Sequence, residues 1–453
     1  MWNLTWFLGM IWALTLLYGE WFTYLVPSMW TCSWPHLLRQ SSSSSNVVDP
    51  SNMYLKIAVV ADPQLMDRTS LPLAPKSVAL ETAQFYADLY IRRAFLSSVL
   101  PFRPDAVVFM GDYFDGGYVL SDDEWQESLS RLRHIFSLNM LRKTPVVKTY
   151  FLSGNHDVGY SAFLSHNPEI VRRYEREFGL RNFIVTLGNV EFVAVDAQSL
   201  DGDLQKEHTS ETWSFVRSAS NCTNPKPRVV LTHIPLHRPD STPCGPHRSS
   251  PVINQRIRRA PNQEIVYQNY VTENSSQALL ELIKPLVILS GHDHDQCTAS
   301  HKSKHGVATE HTIGTVSWQQ GNLYPSFVLL SVRNSTRGEE IAPEEAILTH
   351  LCFLPQQTHI YLWYLALFAM TVVIVLVWPS NEVKISRTCG AAMSFISNIF
   401  KSFNGAVKLK NEEDEDDCEL EEIWDAEGSM HLIKKTRKKV STPPRTVNNY
   451  SLD

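Results

Sequence analysis

None of the seven cysteines forms a Cys-x-x-Cys pair, which excludes the paired-thiolate spacing of a structural zinc site. There is no Gly-x-Ser-x-Gly elbow and no Cys-His arrangement of the kind that serves covalent catalysis, so a hydrolase built on this chain would need another source of nucleophile. No internal repeat of 20–50 residues is visible, against a solenoid or propeller. Basic charge is not in excess: 41 Lys and Arg face 47 Asp and Glu, and a net charge of -6 argues against nucleic acid as a partner. That average hides an acidic run at 411–417 and a basic one at 434–439, both near the C-terminus, so the middle of the chain is closer to neutral. With 453 residues, 43% of them hydrophobic and 19% charged, one large domain with appendages can be buried.

Two apolar stretches bracket the middle. Leu4 to Val26 carries Glu20 as its one ionisable group and is long enough for a bilayer of about 30 Å hydrocarbon. A cleaved signal peptide is the rival reading, weakened by the missing basic n-region and by the length of the run. Ile360 to Trp378 is uncharged, with Lys384 and Arg387 close behind, and the positive-inside tendency puts the tail in the cytosol and the middle in the lumen. Sequons at Asn221, Asn274 and Asn334 agree with that side. Five cysteines fall in the middle, and a Cys222–Cys244 bridge is the expected pairing. The expected organisation is an anchor at 1–30, a Ser-rich linker at 31–54, a lumenal domain at 55–355 with a basic insertion at 236–270, a second span at 359–379 and a charged tail at 380–453. The basic cluster in that tail suits anionic lipid or transport and coat proteins, or is a solvated charge run.

Between the spans, β-rich apolar runs at Leu55–Ala61, Ala106–Met110, Val146–Leu152, Phe183–Leu187, Val190–Val195, Val229–Thr232 and Leu286–Leu289 read as strands. Helical spacing appears at Ser77–Leu100 and Asp122–Leu138. Late runs near His311–Val316, Phe327–Val332 and Ala346–Phe353 lack intervening helices, so mixed α/β sheets with helices outside are expected.

Five polar clusters stand where apolar runs end: Asp62-Pro63-Gln64, Gly111-Asp112-Tyr113-Phe114-Asp115, Gly154-Asn155-His156-Asp157, His233 and Gly291-His292-Asp293-His294. Singly each is an ordinary turn or cap; as an ordered set they supply ligands for two cations, which can clamp the attacking and leaving oxygens of a displacement at phosphorus. The order resembles the calcineurin-like metallophosphoesterase superfamily over Leu55 to Phe353. Ala61 to Asp67, Gly111 to Gly117 and Trp318 to Ser326 further resemble the membrane-anchored phosphodiesterases that remodel GPI glycans.

The resemblance implies two packed β-sheets flanked by helices, an αββα sandwich, with the metals at the carboxyl ends of strands. It places Asp62, Gln64 and His294 with Asp112 on one metal, and Asn155, His233 and His292 with Asp112 on the other. Spacing alone leaves open whether His292 and His294 serve one ion or two. Gln64 stands where most of the superfamily has His. An amide oxygen favours Mn²⁺ or Mg²⁺ over softer ions if it ligates at all. His156 is the expected general acid, and Asp115 its partner for tautomer and proton. Coordination would lower the pKa of an attacking water, so no covalent intermediate is required. The 236–270 insertion, with Arg238, His247, Arg248, Arg256, Arg258 and Arg259, reads either as a phosphate-facing cap or as a solvated basic loop. Trp318 to Tyr324 reads either as a sugar face or as a packed aromatic corner. The function implied is hydrolysis of an ethanolamine-phosphate branch from a GPI-anchor mannose, in the endoplasmic reticulum or Golgi membrane, on GPI-anchored proteins or the free glycan. Alternatives are a lumenal phosphoesterase acting on a nucleotide-sugar or lipid head group, and an inactive lumenal adaptor for GPI proteins.

Overall fold

The computed structural model describes residues 2–40, 53–143, 147–164, 166–221, 226–251, 254–334, 343–377, 419–424 and 430–435. Residues 41–52 of the Ser-rich linker, Cys222 and most of the tail lie outside them. Thirteen strands carry the main unit: β1 (Tyr54–Val60), β2 (Ala106–Phe109), β3 (Lys148–Phe151), β4 (Phe183–Leu187), β5 (Val190–Val195), β6 (Arg228–Thr232), β7 (Ile257–Arg259), β8 (Ile265–Gln268), β9 (Val287–Ser290), β10 (Cys297–Ser303), β11 (Gly306–Thr312), β12 (Ser326–Arg333) and β13 (Ile347–Phe353). One sheet runs β13-β12-β1-β2-β3, the other β10-β11-β9-β6-β5-β4, and β7-β8 form a separate hairpin inside the 236–270 insertion.

The alternation along β1 shows how the layers stack. Ala58 and Val60 point into an aromatic core with Phe95, Phe109, Trp125 and Phe136. Ile57 and Val59 point into a second core shared with Val108, Phe192, Val229, Leu231 and Leu330. The first core is closed by the helices Val78–Arg93 and Asp122–Ile135, the second lies between the two sheets, and a third sits under Glu207–Ser220 and Glu273–Ile283. A strand buried on both faces reads as a continuous apolar run, and Ile57-Ala58-Val59-Val60 is one. The expected sandwich of two sheets between helices is therefore the fold of this unit.

The helix Asp122–Ile135 shows its start in sequence: Ser121 accepts from the Glu124 backbone N–H while Glu124 accepts from that of Ser121, a capping box. Strands β1, β2 and β3 are parallel, as are β5, β6 and β9, so their carboxyl ends share one rim.

Among the described residues one helix, Gln357–Val377, is long and apolar enough to cross a membrane. The expectation of two spanning helices is met by that helix alone. The first apolar stretch is α-helical over Trp2–Leu17 and again over Thr23–Val26, interrupted by a π turn at Tyr18–Phe22 and followed by another at Pro27–Thr31. Glu20, within it, pairs with Arg93 and accepts from the Tyr364 hydroxyl at 3.0 Å. The chain divides into two units, Trp2–Ala366 and one that begins at Leu367; in the second, Glu419–Trp424 and Met430–Lys435 form an antiparallel hairpin.

The disulfides correct the expected pairing. Cys244 bonds Cys297, and Cys32 bonds Cys352. The insertion folds back so that the Cys244 carbonyl accepts from the Thr298 N–H at 3.3 Å, which brings Cys244 to the start of β10, where Cys297 stands.

Candidate active site

Each polar cluster leaves the carboxyl end of a parallel strand: Asp62 and Gln64 after β1, Asp112 after β2, Asn155 after β3, His233 after β6, His292 and His294 after β9. The turns are tight. Asp62, Gln64, Asp112, His292 and His294 all adopt positive φ, between 36° and 67°, a region costly to residues with a Cβ and commonest where function requires it. Gly154 leaves room for the centre, because a Cβ there would lie 2.0 Å from Asp112 Oδ1. At Gly291 it would lie 2.8 Å from Asp62 Oδ2.

The side chains converge as two overlapping clusters. Asp62, Asp112 and His294 bring ligand atoms within 4.8 Å of one another, and so do Asp112, His233 and His292. Asp112 belongs to both. His233 Nε2 stands 3.1 Å from Asp112 Oδ2 and 3.2 Å from Asn155 Oδ1, so the amide oxygen joins the second cluster. Gln64 stands at the first, its Nε2 3.4 Å from Asp112 Oδ2. Turning the carboxamide end for end would offer the oxygen instead. His292 and His294, two residues apart, divide between the clusters, which resolves the alternative left open by spacing.

Every imidazole in the centre is oriented by main chain. His233 Nδ1 donates to the Met110 carbonyl at 2.8 Å, and His292 Nε2 donates to that of Gln268 at 3.1 Å. The Gln320 main chain hydrogen-bonds His294, and His156 Nδ1 donates to the Asp115 carbonyl. A carbonyl can only accept, so these bonds fix the tautomers and leave His233 Nε2 and His292 Nδ1 with lone pairs for a ligand role.

The electrostatics suit divalent cations. Asp62 and Asp112 are fully buried, and burial pushes the Asp62 carboxyl up to about 7. Burial also opposes ionisation of Asp112, but His233 outweighs it and holds that carboxyl well below the usual range. Burial disfavours the His233 cation too, yet Asp112 lifts its pKa to about 9, so without a metal Nε2 holds a proton that a bound cation would displace to free the lone pair. Burial holds His292 down to about 3 and His294 to about 4, which keeps both neutral as ligands must be. Two buried carboxylates with neutral imidazoles and amides around them fit hard divalent ions, because unpaired buried charge is costly.

His156 lies in the first turn of the short helix Asn155–Val158, and its backbone N–H donates to Asp112 Oδ1 at 2.8 Å. Burial disfavours its cation, but Asp112 and Asp115 outweigh that and hold its pKa above the ordinary value. Asp115 differs from expectation in how it acts: its carbonyl, not its carboxylate, takes the Nδ1 proton, and Oδ1 stands 3.8 Å away.

Several roles in the site were not read from sequence. Asp157 accepts from the backbone N–H groups of Asp112, Tyr113 and Gly154 at 2.8–2.9 Å and so ties β2's exit to β3's. Its position three residues after Gly154 was the available signal. Asp67 accepts from the Gly116 N–H at 2.7 Å. Asp293, between the two histidines, receives both guanidinium nitrogens of Arg248 at 2.8 and 3.0 Å, and Arg238 reaches it at 3.5 Å. Arg238 and Arg248 are thus braces of the ligand loop. His247 packs on Phe353 and Arg258 on Tyr267.

A model of the calcineurin-like phosphoesterase family matches residues 55–296. The chain belongs to this family. Calcineurin-like phosphoesterases are hydrolases whose fold holds two divalent metals, and the shared Asp112 stands where such a pair would meet. The chain is similar to Cell division control protein 1 of Saccharomyces cerevisiae, 30% identical over 342 residues that cover 72% of this chain and 67% of the relative. Metallophosphoesterase 1 of Mus musculus is 26% identical over 381 residues, 80% of this chain and 86% of its own. The Metallophosphoesterase 1 homolog of Drosophila melanogaster is 25% identical over 343 residues, 72% and 80% of the two chains.

Proposed function

We propose that this phosphoesterase is a diesterase that removes an ethanolamine-phosphate branch from a GPI-anchor mannose on the lumenal face of the endoplasmic reticulum or Golgi membrane. The observation that carries the chemistry is Asp112, shared by two buried clusters, with His156 set beside them. Asp62, Gln64, Asp112 and His294 would hold one divalent cation, and Asp112, Asn155, His233 and His292 the other. When bound, the pair supplies an activated water and charge neutralisation at the phosphoryl group. Four of these seven residues offer oxygen, which favours Mn²⁺ over softer ions.

His156 works from Nε2, since Nδ1–H is committed to the Asp115 carbonyl. In its protonated form it gives that Nε2 proton to the departing mannose oxygen as the P–O bond breaks. The tie to Asp115 and the bond from its own N–H to Asp112 keep the ring from swinging away.

The substrate rests on the resemblance of Asp62 to Asp67, Gly111 to Gly117 and Trp318 to Ser326 to the GPI-glycan phosphodiesterases. Membrane attachment through Gln357–Val377, with the first apolar stretch as a second anchor, would confine enzyme and lipid-borne substrate to one surface. A lumenal site is supported by the exposure of Asn221, Asn274 and Asn334, as glycan acceptors require, and by two disulfides in one unit. GPI-anchored proteins are the proposed partners, with transport proteins at the tail.

The test is Mn²⁺-stimulated release of ethanolamine phosphate from a defined GPI glycan by the purified full chain, wild type against Asp112→Asn and His156→Ala. Release by the wild type and its loss in both variants is the expected result. Hydrolysis of generic diesters without release from the glycan would overturn the substrate and retain the enzyme.

A further inference from the structure

One wall of the site is a single segment, Gly314–Ser326. It is fastened to the centre at three points: the Thr315 N–H donates to the His294 carbonyl at 3.0 Å, the Thr315 hydroxyl donates to the Asp62 carbonyl, and the Gln320 main chain bonds the His294 ring. At its far side the Trp318 ring meets Tyr361, in the first turns of the apolar helix, edge to face at 5.6 Å. The wall therefore links the metal-ligating side chains to the point where the chain enters the membrane.

This wall carries a concentration of buried polar atoms that find no partner among the described residues. Ser317 Oγ, Trp318 Nε1, Gln319 Nε2 and Asn322 Oδ1 all lie in it, and Gln296 Oε1 lies against it, since Gln296 Nε2 donates to the Tyr324 carbonyl and to Ser326 Oγ. Ser317, Asn322 and Gln296 are at most 6% exposed. Buried polar groups in a native fold are nearly always paired, so a cluster of orphans beside an active centre marks where a ligand bonds.

The kind of ligand follows from the atoms. Trp318 Nε1 and Gln319 Nε2 can only donate, Asn322 Oδ1 and Gln296 Oε1 can only accept, and the Ser317 hydroxyl does either. A phosphate dianion only accepts and would leave the two amide oxygens unpaired. A hydroxyl both donates and accepts, and a polyol offers several at once. The half-buried Trp318 ring adds an apolar face of the kind the C–H side of a sugar ring covers.

We infer that the Ser317–Asn322 wall, with Gln296, is a polyol subsite that binds the hydroxylated sugar bearing the scissile phosphate. It deepens the proposed function, because it assigns residues to the mannose side of the substrate, but its test does not require that substrate.

The experiment uses the full chain in detergent with Mn²⁺ and reads inhibition of bis-p-nitrophenyl phosphate hydrolysis by two phosphate monoesters. One is methyl mannoside 6-phosphate; the other, cyclohexylmethyl phosphate, has the ring without hydroxyls. The wild type is expected to bind the mannoside at least tenfold more tightly. In Trp318→Phe, which keeps the ring on Tyr361, and in Gln319→Met, which keeps the length, that ratio should fall severalfold towards one. The ratio cancels any general loss of activity, so a merely structural role would not move it. Equal inhibition of the wild type by both monoesters overturns the subsite, and so does a ratio unchanged in both variants. An intact wild-type ratio that both variants lower, in an enzyme that releases no ethanolamine phosphate, upholds the subsite and overturns the proposed substrate.

Discussion

At the scale of the residue, the arrangement separates what a side chain does from what its own backbone does. Asp115 holds His156 through its carbonyl, so Asp115→Asn should reduce turnover by less than about tenfold, whereas His156→Ala should lose about 100-fold or more. Steady-state kinetics on one diester checks the contrast, and equal losses would restore the carboxylate as the partner. Gly154 is the opposite case, a residue with no side chain that nonetheless controls the centre. Gly154→Ala drives a methyl into Asp112 Oδ1, and the expected result is a folded protein with metal content and activity both down by at least about tenfold, read by elemental analysis beside the assay. The candidate residues were read from sequence because each follows an apolar strand and keeps family order; Asp62, Asp112, His233, His292 and His294 do converge, while the part given to the Asp115 carboxylate falls to its carbonyl. The left-handed φ values were not legible, since four of the five residues concerned carry Asp or His where glycine would have signalled the turn and the fifth, Gln64, is no more telling.

At the scale of the element, the insertion is held by charge, by sulfur and by β11. Glu310 on β11 accepts from His301 Nε2 and Ser290 Oγ at 2.7 Å and from the Leu236 N–H at 3.1 Å, joining the insertion's first residue to the second sheet. Burial opposes its charge, but His301 and Arg238 prevail and hold its pKa below the ordinary carboxylate value. A depressed folded-state pKa gives stability that is present above the unfolded value and is lost as pH falls through the folded one. Glu310→Gln should therefore cost about 1–3 kcal/mol at pH 7 and progressively less below about pH 4, where the wild type also loses its charge. Thermal unfolding across pH reads it; a gap that widens in acid would contradict the sign. Arg248→Met leaves Asp293 buried without its bidentate partner, and faster hydrogen exchange in β7 and β8 is the expected sign that the hairpin has loosened. These braces explain why the insertion looked like an irregular loop: Ile257–Arg259 is short and basic, and its order comes from Asp293 and Cys297, far along the chain. Strand β10 was missed for a related reason. Its inward positions are Cys297, Ala299 and His301, and the last is buried because Glu310 receives it, so no apolar period marks the strand.

At the scale of the whole molecule, the proposed metal site would link cation binding to folding through the buried carboxyls of Asp62 and Asp112, since Asp112 opposes ionisation of Asp62. Chelation is expected to lower the melting temperature by at least a few degrees, and excess Mn²⁺ to restore it, since a ligand that binds only the folded state stabilises it by mass action. Calorimetry of the full chain in detergent with and without chelator checks this, and an unchanged melting temperature would mean that the centre is empty or preformed without strain. Strands of mixed α/β sheets were readable because runs such as Ile57–Val60 are apolar on both faces, whereas their division into two packed sheets came from the family resemblance. The first apolar stretch was harder to read, because its hydrophobicity says nothing of the π turns that follow Leu17.

The carbonyl ties to His233, His292, His294 and His156 have a consequence for how such a centre can change. Peptide oxygens are common to every amino acid, so point substitution at Met110, Gln268, Gln320 or Asp115 leaves the acceptor in place. Random mutation can delete an imidazole but has little purchase on its aim, which changes only if a loop takes a new path. Diversification in this lineage should then appear as insertions, deletions and glycine or proline exchanges around the rim, while the ring angles are inherited almost for free.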